Sequence, residues 1–349
     1  MIGSAPVAAV IFLALASSGS QDFSSPPKGV SVHVLDTQGW SSDHSYERVI
    51  ALPEAGEAVG AVQTESGPHA AHWSKGGELT ELGTTGGCDF SIAYDINNSG
   101  AIVGCSMQEA PDNAFIGTAK GAIAQIPLPG GCAAFGINDE AMVAFMAVTP
   151  DWLFVGGRWE RALDVTRIQP PGKEVYVRDI NAAGMITGIC SLLPPSASAY
   201  RWSPEAGLTL LETPGGFEHS HGCAINDEGT VVGLSRAGAV DQATRWGRNG
   251  VAVRLPYAKP GFQQSGAYGV NDHGWIVGGE YAQSSDYSFV RGILWINDVP
   301  YDVNAMVQLP PGTPPIHIAV LQAINDQGQI GGQALIKRKR RAIRLDPLW

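Results

Sequence analysis

Charge is scarce in this chain. Asp, Glu, Lys and Arg make up 16% of its 349 residues, against roughly a quarter in an average globular protein. Solvent-facing helices need charged faces, so this deficit argues against long surface helices. With 44 glycines, the composition suits tight turns and half-buried strands. Long apolar runs are also missing. Residues 6–16 form an apolar run of eleven, too short to span a bilayer. No charged side chain stands in residues 1–20. Small residues close that stretch, and Ala14-Leu15-Ala16 or Ala16-Ser17-Ser18 offers a cleavage site. Residues 1–20 therefore read as a secretory signal, residues 21–29 as a polar, disordered linker, and the protein as secreted or periplasmic with no membrane span. No cysteine stands at the cleavage point, so no lipid anchor is expected.

Further absences narrow the chemistry. No Gly-x-Gly-x-x-Gly opens a helix and no phosphate-binding loop exists, which argues against nucleotide binding. No Gly-x-Ser-x-Gly elbow appears. The five cysteines, Cys88, Cys105, Cys132, Cys190 and Cys223, are odd in number and show no Cys-x-x-Cys spacing, so neither a zinc site nor a complete disulfide set is indicated. Cys88 and Cys132 each follow a Gly-Gly pair in like connectors. They could bridge neighbouring units or serve as small buried hydrophobes. A net charge of −11 excludes a general nucleic-acid binder. The local exception, residues 337–341, reads as a solvated hairpin tip. No cofactor or metal is expected, and the chain is expected to be a monomer.

What the chain does have is repetition. Ile-Asn-Asp-x-Gly-x-Val-Val-Gly is cleanest at residues 225–233, and further copies begin at Ile96, Ile137, Ile180, Val270 and Ile324. A degenerate copy begins at Leu52, and the start-to-start spacings are 44, 41, 43, 45, 45 and 54 residues. A period in the forties built of short strands predicts an all-β fold, a seven-bladed β-propeller with one repeat per blade. Asn-Asp-x-Gly reads as a hairpin turn in which glycine takes the positive φ of a type I turn plus bulge. Third strands follow at 69–73, 199–202, 242–246 and 292–295, and fourth strands at 79–82, 208–211, 251–255 and 301–304. The third strands carry a Trp, read as packing between blades. It is replaced by Gly117, Gly156 and Leu345 in the second, third and seventh repeats. The last repeat lacks a fourth strand, and residues 30–36 alternate like one. The N-terminal strand is therefore expected to complete the last blade, making residues 30–349 a single closed domain.

These phrases resemble the extracellular HAF-repeat family, whose units combine an Ile-Asn-Asp-x-Gly-x-Ile-Val-Gly turn, a His-Ala-Phe-x-Trp strand and an Asp-Leu-Gly strand. The matching residues are 225–233, His69-Ala70-Ala71-His72-Trp73, residues 81–87 and residues 295–304. The third repeat departs most, with Ala141-Met142-Val143-Ala144 in place of Gly-x-Val-Val. The resemblance implies an exported propeller and no settled activity, and it carries over no catalytic residues.

Candidate site residues come from the innermost strands, which line the central channel. The residues four and two places before each repeat's Ile share one strand face. They are Arg48 and Ile50, Ile92 and Tyr94, Ala133 and Phe135, Tyr176 and Arg178, His221 and Cys223, Gly266 and Tyr268, Val320 and Gln322. They either converge on the channel or fill the gaps between blades. If they converge, Arg favours a carboxylate or sulfate and Tyr offers a ring and a hydroxyl. The expected partner is then an anionic glycan or small organic acid, bound by Arg48, Tyr94, Tyr268, Gln322 and His219. The alternative is lyase-type proton abstraction by Tyr176 or His221, with Arg178 neutralising a carboxylate. Residues 218–221 form the densest polar cluster, but no complete third metal ligand accompanies its two histidines.

Overall fold

A computed structural model describes residues 21–37, 48–107, 113–120, 123–128, 131–160, 165–191, 196–282 and 290–349. The signal expected at residues 1–20 lies outside them. The described strands form seven four-stranded antiparallel sheets, the blades of a β-propeller. Blade 5 is typical: its innermost strand His219–Ile225 pairs with Val231–Ala237, then Val240–Trp246, then Ala252–Arg254. The other innermost strands are Arg48–Ala51, Phe90–Ile96, Gly131–Ile137, Glu174–Ile180, Gln264–Val270 and Ile316–Ile324. The N-terminal strand Gly29–Val34 completes blade 7 by pairing with Lys339–Leu348, from Gly29 opposite Leu348 to Val34 opposite Ile343. That pairing removes the two open edges a linear stack would leave.

Each repeat turn is held twice. Within a blade, the Asn226 amide accepts from Gly229 and Thr230 through its main-chain and side-chain oxygens, at 3.0 and 2.9 Å. Between blades, the Asn226 Nδ2 donates to the Asn271 carbonyl at 3.1 Å. The same side-chain donation runs from Asn97 to Asn138, Asn138 to Asn181, Asn181 to Asn226, Asn271 to Asn325 and Asn325 to Pro53. Asn is required because one side chain must supply both an acceptor and a donor in a buried place. Beside this ring runs an open series of side-chain acceptors, mostly carboxylates, that ends at Asp139 because Ala182 has no acceptor. Ala182 N donates to Asp227, Asp227 N to Asp272, Asp272 N to Asp326 and Asp326 N to Glu54. Blade 1 has Pro53 at the Asn position. There Glu54 N donates to Asn98 Oδ1 at 2.9 Å and carries the series across.

The motif glycines are fixed by geometry. Gly229 has φ of 81°, as the bulge of its turn demands. Blade 3 holds Ala141 in that position at φ 58°. The glycine ending the motif, Gly233, leaves only 1.9 Å between a would-be Cβ and the His221 carbonyl. In blade 3 that place belongs to Phe145, whose ring occupies the space left by the facing Gly157. Blades 2 and 4 have the mirror arrangement, Gly104 opposite Phe115 and Gly188 opposite Tyr200. One large ring per facing pair fills the gap in all three blades.

The third-strand tryptophans latch blades together. Trp73, Trp246 and Trp295 are buried, and their indole N–H groups donate to the carbonyls of Asp36, Glu212 and Pro256 at 2.7, 2.6 and 2.9 Å. Each acceptor follows the outermost strand of the preceding blade. One sequence assignment needs correction: the third repeat keeps its tryptophan. Trp159 faces Val143 as Trp246 faces Val231, so Gly156 is not the equivalent residue. The fourth strand of blade 6 also stops earlier than expected, at Asp302, whose carboxylate caps a 3₁₀ turn, Val303–Ala305. Residues 21–28, expected as a disordered linker, lie against blades 6 and 7. The Phe23 ring stacks on His273 at 3.8 Å and its carbonyl accepts from the Trp275 indole. No disulfide joins Cys88 to Cys132 across blades 2 and 3; the buried Cys88 sulfur instead accepts from Asn113 Nδ2 at 3.3 Å.

Two substitutions test this account. Asn226→Asp removes the donor and buries a carboxylate against a carbonyl, which should cost roughly 2–3 kcal/mol at neutral pH. The loss should shrink below about pH 4, where the protonated acid regains a donor; urea unfolding at both pH values would show it. Ala141→Gly relieves the left-handed backbone and should raise stability by about 1 kcal/mol, or a degree or two in Tm. A lowered Tm would show that Ala141 is not strained.

Candidate functional site in the central channel

A radial blade presents the edge of its innermost strand to the axis, which would line the channel with backbone. All seven innermost strands avoid this with a β-bulge. Pairing slips between Val49 and Ala51, Ala93 and Asp95, Ala134 and Gly136, and Val177 and Asp179. It slips again between Gly222 and Ala224, Ala267 and Gly269, and Leu321 and Ala323. The skipped residue is each time the one two places before the repeat's Ile or its counterpart. The bulge re-aims that side chain. Ile50, Tyr94, Phe135, Arg178, Cys223, Tyr268 and Gln322 thus all line one axial cavity of about 470 Å³, together with His221.

The cavity wall is divided chemically. Tyr94 and Phe135 stack at 4.8 Å, and the Arg178 guanidinium lies over the Phe135 ring at 5.6 Å. Among the described residues no carboxylate stands within ion-pair distance of Arg178. The arginines that hold the scaffold differ: Arg236 pairs bidentately with Asp241 at 2.6 and 2.7 Å, and Arg245 with Asp298 at the same distances. Across the cavity the Tyr281 hydroxyl donates to that of Tyr268 at 3.1 Å. Burial pushes the Tyr268 hydroxyl up to about 12 and raises that of Tyr94 as well, so both stay protonated. Burial, then Arg236, lowers the pKa of His221, with Arg178 a lesser contributor, so its imidazole is neutral at pH 7. The Gln322 Oε1 is buried without a hydrogen-bond partner.

At the throat, between the cavity and the ring of Asn-Asp turns, stand Asp95 and Asp179. Each carboxylate ties two blades. Asp95 accepts from Ile96 N and from Ile137 N of blade 3, at 2.8 and 2.7 Å. Asp179 accepts from Ile180 N and Ile225 N of blade 5, both at 2.8 Å. Sequence reading passed over this pair. The signal was present in the residue before each repeat's Ile, which is Ala or Gly in the other five repeats. Beyond the throat, the turns bring Glu54, Asp139, Asp227, Asp272 and Asp326 to the opposite mouth. The channel is therefore acidic at one end and holds Arg178 and neutral His221 nearer the other.

The remaining sequence candidates lie around the cavity. Arg48 is half-buried on the innermost strand of blade 1, close enough for its charge to bear on Tyr94. Tyr176 donates its hydroxyl to Glu174 at 3.2 Å and packs on Phe154 at 4.8 Å, beside the cavity rather than in its lining. His219 accepts from Ala197 N at 3.3 Å, in the contact between blades 4 and 5. Among the described residues no group of three or more His, Cys, Asp or Glu side chains is placed to hold a metal, and no helix is long and apolar enough to cross a membrane.

Crowding at the throat sets a pH dependence. Burial pushes Asp95 up to about 8 and Asp179 to about 6, against the pull of the N–H donors. A folded pKa above the unfolded one means that the fold prefers the protonated acid. The associated stability is complete below about pH 4 and is lost as pH climbs through the folded values. The unfolding free energy should fall between pH 4 and 8, and more steeply in the wild type than in Asp95→Asn. Parallel profiles would show that the throat is fully solvated.

No family model matches this chain, and no curated protein matches it in sequence. The resemblance to HAF repeats therefore stands on the turn and strand phrases alone. Solved structures share the architecture. A streptogramin B lyase is 12% identical with a TM-score of 0.58, over 91% of this chain and 98% of that one. Virginiamycin B lyase from Staphylococcus aureus is 12% identical with a TM-score of 0.55, over 91% of this chain and all of that one. A prolyl endopeptidase is 10% identical with a TM-score of 0.54, over 86% of this chain and 50% of that one. Identities this low speak for the propeller fold alone.

Proposed function

We propose that this propeller is an exported binding protein whose channel takes a small anionic organic ligand with flat, weakly polar faces, as an acidic sugar has. The observation that carries the reading is Arg178. It stands in an axial cavity with no carboxylate partner among the described residues, while Arg236 and Arg245 in the blades are each held bidentately by an aspartate. A guanidinium left open in a concave site is complementary to a ligand carboxylate or sulfate. The stacked Tyr94 and Phe135 offer a ring face, and His221, Tyr268 and Gln322 offer hydrogen bonds. The cavity volume of about 470 Å³ suits a small organic molecule. The acidic mouth beyond the throat, with Glu54, Asp139, Asp227, Asp272 and Asp326, repels the ligand's anionic group and favours its placement toward Arg178. Calorimetry with galacturonate and galactose tests this. Galacturonate should bind more tightly, and Arg178→Met should weaken it by about tenfold or more, the worth of one charge-assisted bond. Equal affinity for acid and neutral sugar would overturn the reading.

A second reading is favoured by one observation, the neutral His221 in the same cavity as Arg178. It could remove a proton adjacent to a carboxylate whose charge Arg178 offsets, the first step of a β-elimination. Streptogramin-type lyases share the fold, and one solved structure is of a catalytically inactive histidine-to-alanine virginiamycin B lyase with quinupristin. Turnover of uronic-acid polymers, followed by the absorbance of unsaturated product, should then rise with pH to a plateau, with an apparent pKa below 6.5. His221→Ala should abolish it. Binding without turnover would leave the first reading alone.

A further inference from the structure

The hairpin joining Val143–Val148 to Phe154–Trp159 places a tryptophan in a left-handed turn position of the kind that Gly229 and its counterparts, with Ala141 in blade 3, hold in the repeat turns. Thr149 N donates to Leu153 O and Trp152 N to Thr149 O, both at 2.9 Å, and Leu153 N donates to Thr149 Oγ1 at 3.1 Å. Trp152 sits at φ 62°, in the left-handed region, and its side chain is 79% exposed. Leu153 beside it is 42% exposed. The fold is therefore disfavoured twice at this residue, by backbone strain and by a large apolar ring in water. No packing contact among the described residues compensates.

The position explains the ring. The hairpin lies on the face of the propeller opposite the Asn-Asp turns, where the innermost strands begin. Two residues after Trp152, Phe154 packs on Tyr176 at 4.8 Å. Glu174 holds both, accepting from Phe154 N at 3.4 Å and from the Tyr176 hydroxyl at 3.2 Å. Two residues after Tyr176 comes Arg178, over Phe135, which stacks on Tyr94. Aromatic residues thus follow one another from the rim of blade 3 to the side of the axial cavity, where Tyr176 stands beside the lining. We propose that this path extends the channel site and that the ligand is an oligosaccharide. Its one acidic sugar would lie in the channel and its uncharged sugars along Tyr176, Phe154 and Trp152. The charge pattern selects this class over a polyanion, because Asp151 and Glu174 flank the path and would repel further carboxylates. This inference rests on the anion-binding reading of the channel.

The test compares glucuronic acid with an aldouronic tetrasaccharide that carries a single uronic acid, by calorimetry. The wild type should bind the tetrasaccharide more tightly. Trp152→Gly should weaken the tetrasaccharide by about fivefold, in line with one aromatic contact, and leave glucuronic acid within about twofold. The same variant should raise Tm, since glycine relieves the backbone. Higher stability with lower affinity is a pattern that a purely structural tryptophan cannot produce. Arg178→Met should weaken both ligands. If the wild type binds both equally, or Trp152→Gly leaves tetrasaccharide affinity unchanged, the path is overturned while the channel site stands. If the wild type binds neither, both readings fall. Binding of the wild type to anionic lipid vesicles, lost in Trp152→Gly, would assign the tryptophan to a membrane surface and overturn the proposal.

Discussion

The structure depends on one amide side chain used in two directions. The repeat asparagine closes its own turn with Oδ1 and holds the next blade with Nδ2. Six such side chains hand the connection around the axis and finish on the Pro53 carbonyl. Blades packed only by apolar faces could slide or open, because the hydrophobic effect has little directionality. A hydrogen bond buried at the axis has direction, and leaving it unmade is costly. The ring therefore sets where each blade lies relative to its neighbour. The tryptophan latches and the shared last blade complete the same closure farther out.

That closure frees the innermost strands for another use. Their turn ends are pinned and their outer neighbours paired, so each can carry a bulge without losing its place. The seven bulges convert a tube of backbone edges into a ring of seven independent side chains. Nothing in the ring's stability dictates what those side chains are, and they are correspondingly uneven: aliphatic, aromatic, cationic, thiol and amide. The acids Asp95 and Asp179 belong to both systems. They accept main-chain donors across blade boundaries and also change the charge of the throat as they ionise, so scaffold and site are coupled through protonation.

Much of the architecture was legible in local sequence. The spacing of the Asn-Asp-x-Gly turns counts the blades, and the missing last strand points to its N-terminal replacement. Positions two before the Ile were legible as channel residues, although strand alternation was an incomplete reason for it. Alternation alone predicts that Tyr176 and Arg178 share a surrounding. The bulge between Val177 and Asp179 separates them, leaving Tyr176 beside Phe154 and sending Arg178 to the cavity. The third-repeat tryptophan was misplaced for a related reason. Phe145 and Gly157 exchange the large and small partners found in blade 2, which disguises the register until facing strands are seen together.

The sequence by itself determined the repeat count, the turn chemistry, the four-strand unit and the closing strand, since each is written in residues close together or in a recurring period. Only the tertiary structure decided that the turn asparagines form one ring, that the bulged residues meet in one cavity, that no carboxylate among the described residues reaches Arg178 there and that Trp152 is held out at the rim. Those facts depend on relations among blades far apart along the chain, and on which strand edge a bulge turns toward the axis. A local pattern carries no information about either.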